Sequence, residues 1–302
     1  MDENKISQLC LECLKQRPSL VKRCTMGIGN YVYYVETACE KYIVRCSAEA
    51  GAYKNTIHWL EKLSALRVPV PRVLSYGSFS EYEYLILSYI EGKDLGLVYP
   101  ALTGNDKKSI AKEIVRIQDR AAQLKLEDLP AEWSWSSFVR YILDRAAERI
   151  EKNGYFDREK ADRLKKEALQ LDGYFSAIRP TAYLDDISSK NLIIHNGRVS
   201  GIIDVDWIGV GDKLTYVALT NMALLNLEYD TDYVTYILEE MALTPLQKKA
   251  FSFYSLLYCV DFMGERGMTF MGKTVEVNQQ IIDRLNGIYD QLWAEWYNYT
   301  DV

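Results

Sequence analysis

Residues Tyr183 to Asp212 read YLDDISSKNLIIHNGRVSGIIDVDWIGVGD, and the fold turns on how this stretch is read. An acidic turn, Asp185-Asp186, comes first, with Asn191 five residues after Asp186. Two apolar runs follow, Leu192 to Ile194 and Val199 to Ile203, on either side of Asn196-Gly197. Asn-Gly between such runs signals a hairpin, because both residues tolerate the positive φ that a tight two-residue turn requires. The open end of that hairpin brings Asn191 and Asp204 together, with Asp186 just upstream. A carboxylate, an amide oxygen and a second carboxylate then share one place. Such oxygen ligands suit Mg²⁺, which binds through one or two carboxylates plus substrate phosphates. A separate carboxylate nearby can accept a proton from a hydroxyl nucleophile. Each acid alone reads equally well as a turn former or a strand end; the combination at this spacing points to chemistry.

The whole chain bounds the reading. Its 302 residues form one large domain or two modest ones with a sizeable core. Hydrophobic residues at 48% and charged residues at 26% are ordinary for a globular protein. A net charge of −6 argues against a nucleic-acid partner held by phosphate neutralisation. The acidic start, MDENK, lacks the basic end and apolar core of a signal peptide, and no apolar run approaches the length of a membrane span, so a cytoplasmic protein without a membrane partner is expected. Cys10 and Cys13 lie in a helical pattern with Ile6, Leu9 and Leu14, and read as core-facing thiols rather than a metal pair. Neither His58 nor His195 lies near a G-x-S-x-G elbow, which the chain lacks, so a serine hydrolase is poorly supported.

Taken in order, residues 3 to 16 read as an amphipathic helix ending near Pro18. Three β-like runs follow, Leu20 to Cys24, Tyr31 to Thr37 and Lys41 to Cys46, separated by short turns that suggest an antiparallel meander. Gly27 and Gly29 lie between the first two, where glycine frees backbone N–H groups to approach phosphate. Residues 48 to 65 read as a helix, Tyr84 to Ile90 as a buried strand, and Glu91 to Leu95 as a hinge. From residue 105 onward, helical spacing covers 106–124, 134–152, 157–177, 213–226, 232–241, 246–265 and 274–298.

The stretch from Tyr183 to Asp212 resembles the catalytic segment of the aminoglycoside phosphotransferase and choline kinase family, which shares the protein-kinase-like fold. That family carries H-G-D-x-x-x-x-N, a hairpin, then I-D and a later G-D. The resemblance implies Asp186 as the catalytic residue, Asn191 and Asp204 as metal ligands, and Gly211-Asp212 as the later pair. Leu184 and Asp185 stand where the family has His and Gly, and Tyr216 replaces an Asp. Met26 to Asn30 resembles the family's glycine loop, which implies nucleotide contacts from Gly27, Gly29 and Asn30. Arg45 falls on the phosphate-binding strand residue, and as an arginine it stays charged and can clamp oxygens in bidentate fashion. The Glu that steadies this residue in relatives is replaced by Tyr53, with Glu49 one turn earlier as a substitute. Backbone groups from Ser88 to Ile90 are expected at the adenine.

The implied fold is α+β and bilobal, a small antiparallel-sheet lobe over residues 1–91 that binds nucleotide and a larger, mostly helical lobe over 92–302 that binds the acceptor. The implied reaction moves the γ-phosphoryl group of ATP, or of GTP, with Mg²⁺, to a hydroxyl of a small molecule. From Leu214 to Gln247 there is no Lys or Arg but five acids, Glu228, Asp230, Asp232, Glu239 and Glu240. An acidic wall of that kind suits a cationic acceptor such as an amino sugar, with Asp206 and Trp207 beside it for charge and cation–π contact. Two other readings stand open. A nucleotide-binding relative with weak or lost catalysis is motivated by Leu184, Asp185 and Tyr53. A protein Ser/Thr kinase is opposed by the absence of D-F-G and A-P-E.

Overall fold

The computed structural model describes residues 1–24, 31–126, 129, 132–270 and 272–298; Gly27, Gly29 and Asn30 of the expected phosphate loop lie outside them. Helix α1 (Glu3–Leu14) begins where the Asp2 carboxylate accepts the Lys5 N–H at 2.9 Å, and it buries Ile6, Leu9 and Cys10. Strands β1 (Leu20–Cys24), β2 (Tyr31–Glu36), β3 (Lys41–Ser47), β4 (Val73–Phe79) and β5 (Tyr82–Ser88) form an antiparallel sheet in the order β1-β2-β3-β5-β4. The two-residue period of β3 sends Tyr42, Val44 and Cys46 into the core under α1. Ile43 and Arg45 therefore face the other side, where α2 (Lys54–Ala65) packs Leu60 and Leu63 against Leu85 and Leu87. The helix expected from residue 48 starts at Lys54, because Gly51 takes a positive φ of 74° and turns the chain first.

Beyond the hinge come β6 (Lys93–Asp94), α3 (Leu95–Val98), α4 (Gly104–Ala121) and α5 (Trp135–Asn153). The expected helix over 157–177 is broken into α6 (Glu159–Ala168), a 3₁₀ turn over Leu169–Leu171 and α7 (Asp172–Ala177), which lets both Leu171 and Phe175 reach the core. The expected hairpin forms as β8 (Leu192–His195) and β9 (Arg198–Ile202), and β6 joins it on the β8 edge. Asn196 and Gly197 have φ of 49° and 71°, the two positive values that a type I′ turn needs. A short pair, β7 (Ala182–Tyr183) with β10 (Gly209–Val210), ties the two ends of the same stretch together. The remainder is α8 (Leu214–Asn226), α9 (Asp232–Met241), α10 (Pro245–Glu265), a small hairpin of β11 (Thr269–Phe270) and β12 (Lys273–Thr274), and α11 (Gln279–Tyr297). Helix α11 starts later than its spacing suggests because Asn278 caps it, accepting the Ile281 N–H at 2.9 Å.

Two cores hold the helical part. One gathers α5, α6, α7, α8, α10 and α11 around Trp135, Phe253, Tyr254 and Trp296. The other runs from α2 and β5 through α3 and α4 to Leu192, Ile194 and Ile202 of the hairpin, so apolar packing joins the sheet to the helical part beneath it. Among the described residues no helix is long and apolar enough to cross a membrane.

The end of the Tyr183–Asp212 stretch is fixed by close packing. A Cβ on Gly211, whose φ is 136°, would lie 2.1 Å from two ring carbons of buried Trp135. Gly211→Ala combines backbone strain with overpacking, and is expected to cost on the order of 2–6 kcal/mol in chemical denaturation. A variant within 0.5 kcal/mol, roughly a neutral surface change, would show that this loop adapts freely.

Candidate active site

The hairpin's open end is closed by one backbone bond, the Ile203 N–H donating to the Asn191 carbonyl at 2.9 Å. Asn191 and Asp204 stand on either side of it, both in left-handed backbone at φ of 65° and 60°. Asn and Asp are the side chains other than glycine that visit this region most readily. The Asn191 N–H is held in turn by the Asp94 carboxylate of the hinge at 3.0 Å. Its Nδ2 donates to the Asp186 carbonyl at 2.9 Å and to the Asp186 Oδ2 at 3.0 Å. The Asn191 Oδ1 accepts from no donor among the described residues, and neither does the second Asp186 oxygen. Sequence and structure thus agree that Asp186, Asn191 and Asp204 converge.

Their electrostatics differ from those of ordinary surface acids. Asp186 is exposed, yet partial desolvation by the protein around it raises it above its ordinary value, against the pull of Lys190 and Asn191. The same desolvation raises Asp204, and the charges of Asp206 and Asp186 add to it while Arg45 opposes. Asp185 is raised too, by burial first and then by Asp186. Among the described residues no basic side chain pairs with Asp185, whose Oδ1 only accepts the Asp186 N–H at 3.0 Å.

Arg45 points from β3 into this group, but its guanidinium is engaged. It donates through both terminal nitrogens to Asp206, at 3.1 and 2.9 Å, and stands 3.8 Å from an Asp204 oxygen. Thr56 of α2 donates to the same Asp206 carboxylate at 2.5 Å. Burial alone would raise Asp206, yet Arg45 and Thr56 hold it below the ordinary value. Asp206, expected beside an acceptor, is therefore placed as the partner of Arg45. Glu49, expected to steady Arg45, is exposed and makes no such pair. Trp207 is 72% exposed. Ser88 is tied to Arg72 by its backbone N–H at 3.0 Å and its hydroxyl at 2.9 Å. Ile90 lies on the hairpin over Gly201, where a Cβ would sit 2.4 Å from the Ile90 Cδ1.

The acidic stretch is arranged otherwise than expected. Asp230 is taken up by Lys107 at 2.7 Å and by the Tyr99 hydroxyl, and Glu228 pairs with Arg284 at 3.1 Å. The acids that share a field with the catalytic turn lie elsewhere. Tyr258 of α10 is pushed well up by burial, then by the charges of Tyr183, Asp261 and Asp185. Asp261 is itself met by Arg145 at 2.9 Å.

The partners that support this stretch, Gln118, Tyr174, Tyr254 and Trp135, escaped sequence reasoning. Leu184, in the position where histidine was expected, is buried and clamped through its backbone: its N–H donates to the Gln118 Oε1 at 2.9 Å, and its carbonyl accepts the Gln118 Nε2 at 2.8 Å. Asp212 receives the hydroxyls of Tyr174 at 2.6 Å and Tyr254 at 3.0 Å, while the Trp135 Nε1 donates to Tyr254 at 2.7 Å. Tyr216 is buried with its hydroxyl unpartnered. Only Gln118, a polar residue at an apolar spacing of α4, carried a signal.

The free oxygens of Asn191 and Asp204 fit a hard cation. Among the described residues no group of three or more His, Cys, Asp or Glu could hold a metal alone, so an ion here would complete its shell with phosphate oxygens or water.

Residues 21–218 match the phosphotransferase enzyme family, which spans more than half of the chain. An aminoglycoside 3'-phosphotransferase of Streptomyces fradiae is 25% identical over 217 residues, covering 67% of this chain and 76% of that protein. Among solved structures, a thermostable mutant of the aminoglycoside phosphotransferase APH(4)-Ia, in ternary complex with ADP and hygromycin B, superposes with a TM-score of 0.64 at 14% identity, over 98% of this chain and 97% of the other. ADP-bound aminoglycoside phosphotransferase APH(2'')-Ib gives 0.61 at 14%, over 98% and 99%. At these identities the likeness carries the fold, which is the bilobal kinase-like α+β fold expected from the sequence.

The Gln118 clamp yields a direct test. Gln118→Leu strands the buried N–H and carbonyl of Leu184, and stability should fall by about 2–4 kcal/mol in urea unfolding. A drop of only a few tenths, as for a surface change, would show that Leu184 finds other partners.

Proposed function

This chain belongs to the phosphotransferase enzyme family and is a small-molecule kinase, and on that premise we propose that it moves the γ-phosphoryl group of ATP to a hydroxyl of a cationic small molecule, with Asp186 as the base. Residues 1–91 are proposed as the nucleotide-binding lobe and 92–302 as the catalytic and acceptor-binding lobe. The observation that carries the reading is the convergence of Asp186, Asn191 and Asp204, with the Asn191 Nδ2 on the Asp186 Oδ2 at 3.0 Å. That bond orients the carboxylate and leaves its other oxygen for the acceptor hydroxyl. Partial desolvation weakens Asp186 as an acid and so strengthens it as a base, while its exposed side chain stays open to an acceptor. The Asn191 Oδ1 and Asp204 would hold Mg²⁺, which when bound neutralises charge on the phosphoryl oxygens. Arg45, Gly27, Gly29 and Asn30 are proposed to hold phosphates, and the backbone from Ser88 to Ile90 to hold the base. Little covalent chemistry falls to such a protein, so positioning and charge carry the rate.

The cationic character of the acceptor is supported by Asp185, a half-buried carboxylate beside the base that has no cation of its own among the described residues. Exposed Trp207 offers a π face. The structural relatives bear on this class: one is solved in ternary complex with ADP and hygromycin B.

Transfer from Mg·ATP and Mg·GTP should be measured over aminoglycosides, choline, ethanolamine, neutral sugars and nucleosides. Asp186→Asn should lower transfer by about 10²–10⁴-fold while leaving nucleotide binding in place. A variant that still turns over normally sinks the assignment, and nucleotide binding with no transfer to any acceptor favours the inactive-relative reading. The pH profile supplies an independent check. Asp186 acts only when ionised, so the rate falls as pH drops through its raised pKa, and the acid limb should stand above the ordinary Asp value of about 3.9. An acid limb that persists unchanged in the residual activity of Asp186→Asn removes Asp186 as its source.

A further inference from the structure

We propose that Asp206 is the positioning residue of Arg45, so that this chain draws the counter-ion of its phosphate-binding base from the metal-binding segment rather than from helix α2. The inference rests on the reading of Arg45 as a phosphate ligand. Kinase sites of this fold hold the basic strand residue by an ion pair with a glutamate of the small lobe's helix. Here Tyr53 stands at the corresponding point, with its ring centroid 5.4 Å from the Arg45 guanidinium and its buried hydroxyl unpartnered. It packs on the arginine without neutralising it.

Asp206 supplies the missing charge. Two parallel bonds at 3.1 and 2.9 Å fix the plane of the guanidinium, a geometry that only arginine can complete. Thr56, in the first turn of α2, donates to the same carboxylate at 2.5 Å. The strand and the helix are thus still joined through one carboxylate, but that carboxylate sits two residues after Asp204, across the cleft. Arg45 lies 3.8 Å from Asp204, close enough to feel its charge and too far to occupy it. One acid of the pair holds the base, and its neighbour keeps free oxygens for a cation. A consequence separates this role from a site for the acceptor: Asp206 acts on nucleotide affinity.

The test is titration of the full chain with Mg·AMP-PNP, followed by turnover with an acceptor from the panel above. Asp206→Asn keeps the shape of the side chain and removes its charge. Nucleotide affinity should fall by about 10- to 100-fold, with the acceptor KM unchanged. Adding Tyr53→Glu to Asp206→Asn returns a carboxylate at the helix position and should recover much of the loss, an effect that a merely structural role would not produce. Three results overturn the proposal: unchanged nucleotide affinity in Asp206→Asn, a defect confined to the acceptor KM, or a loss that excess Mg²⁺ restores and Tyr53→Glu does not. If the wild-type chain itself binds no Mg·nucleotide, the phosphotransfer reading falls as well, which is distinct from equal binding by wild type and variant.

Discussion

One hydrogen bond, from the Ile203 N–H to the Asn191 carbonyl, closes the hairpin on which the site is built. It sits between two residues in left-handed backbone, a conformation that costs energy for most side chains and persists only where the surroundings over-determine it. The surroundings here do so from several directions. Leu192, Ile194 and Ile202 are buried, Asp94 grips the Asn191 N–H, and β6 pairs along β8. The hairpin is therefore a firmly held stem whose rim sets Asn191 and Asp204 on either side of one backbone bond. Its Asn196-Gly197 turn is a structural necessity, far from the rim, that sets the register.

The same logic explains how the catalytic turn tolerates an unusual residue. A histidine at position 184 would have carried its own polar contacts, whereas Leu184 has none to offer through its side chain. Burying leucine instead adds apolar packing, and Gln118 satisfies the backbone on both sides. At the other end of the stretch, Asp212 is fixed by two tyrosine hydroxyls and a tryptophan behind them, an arrangement in which each buried polar atom finds a partner. The support has changed its chemistry while the backbone it positions is retained.

What could be read in advance follows from the range of the interactions. The hairpin rests on local turn chemistry and alternating burial, so residues 192 to 202 and strands β1 to β3 were legible to within a residue, whereas the strand expected over Tyr84 to Ile90 lies two residues earlier as β5 and the bounds of β4 were not read. Asp186, Asn191 and Asp204 were legible because they are fixed to that hairpin by short spacings. The Arg45–Asp206 bond was not, since it joins residues far apart in sequence and depends on how α2 approaches the hairpin. The acidic residues from 228 to 240 show a related limit: composition gives the charge of a segment but not the Lys107 and Arg284 that meet Asp230 and Glu228 from other elements. The late start of α2 and α11 shows that helical periodicity reaches past a helix end, where Gly51 or a capping Asn278 decides.

The charge balance of the cleft ties these parts together. Asp185 is half-buried and Asp186 and Asp204 are still exposed, and the protein packed around the three makes each harder to ionise. Arg45 is the guanidinium that faces them, and it is already bound to Asp206, the member of the group whose pKa falls. Because Asp206 takes the arginine in bidentate fashion, the positive charge cannot collapse onto Asp204 and cancel the place where a cation would bind. A lysine at this position, with no planar fork, would be free to swing between the two acids. Pairing arginine with Asp206 therefore holds the guanidinium 3.8 Å from Asp204, where it offsets only part of that charge and leaves a negative site next to a fixed positive one. A metal-bound phosphate chain, positive at its ion and negative at its oxygens, is complementary to that alternation.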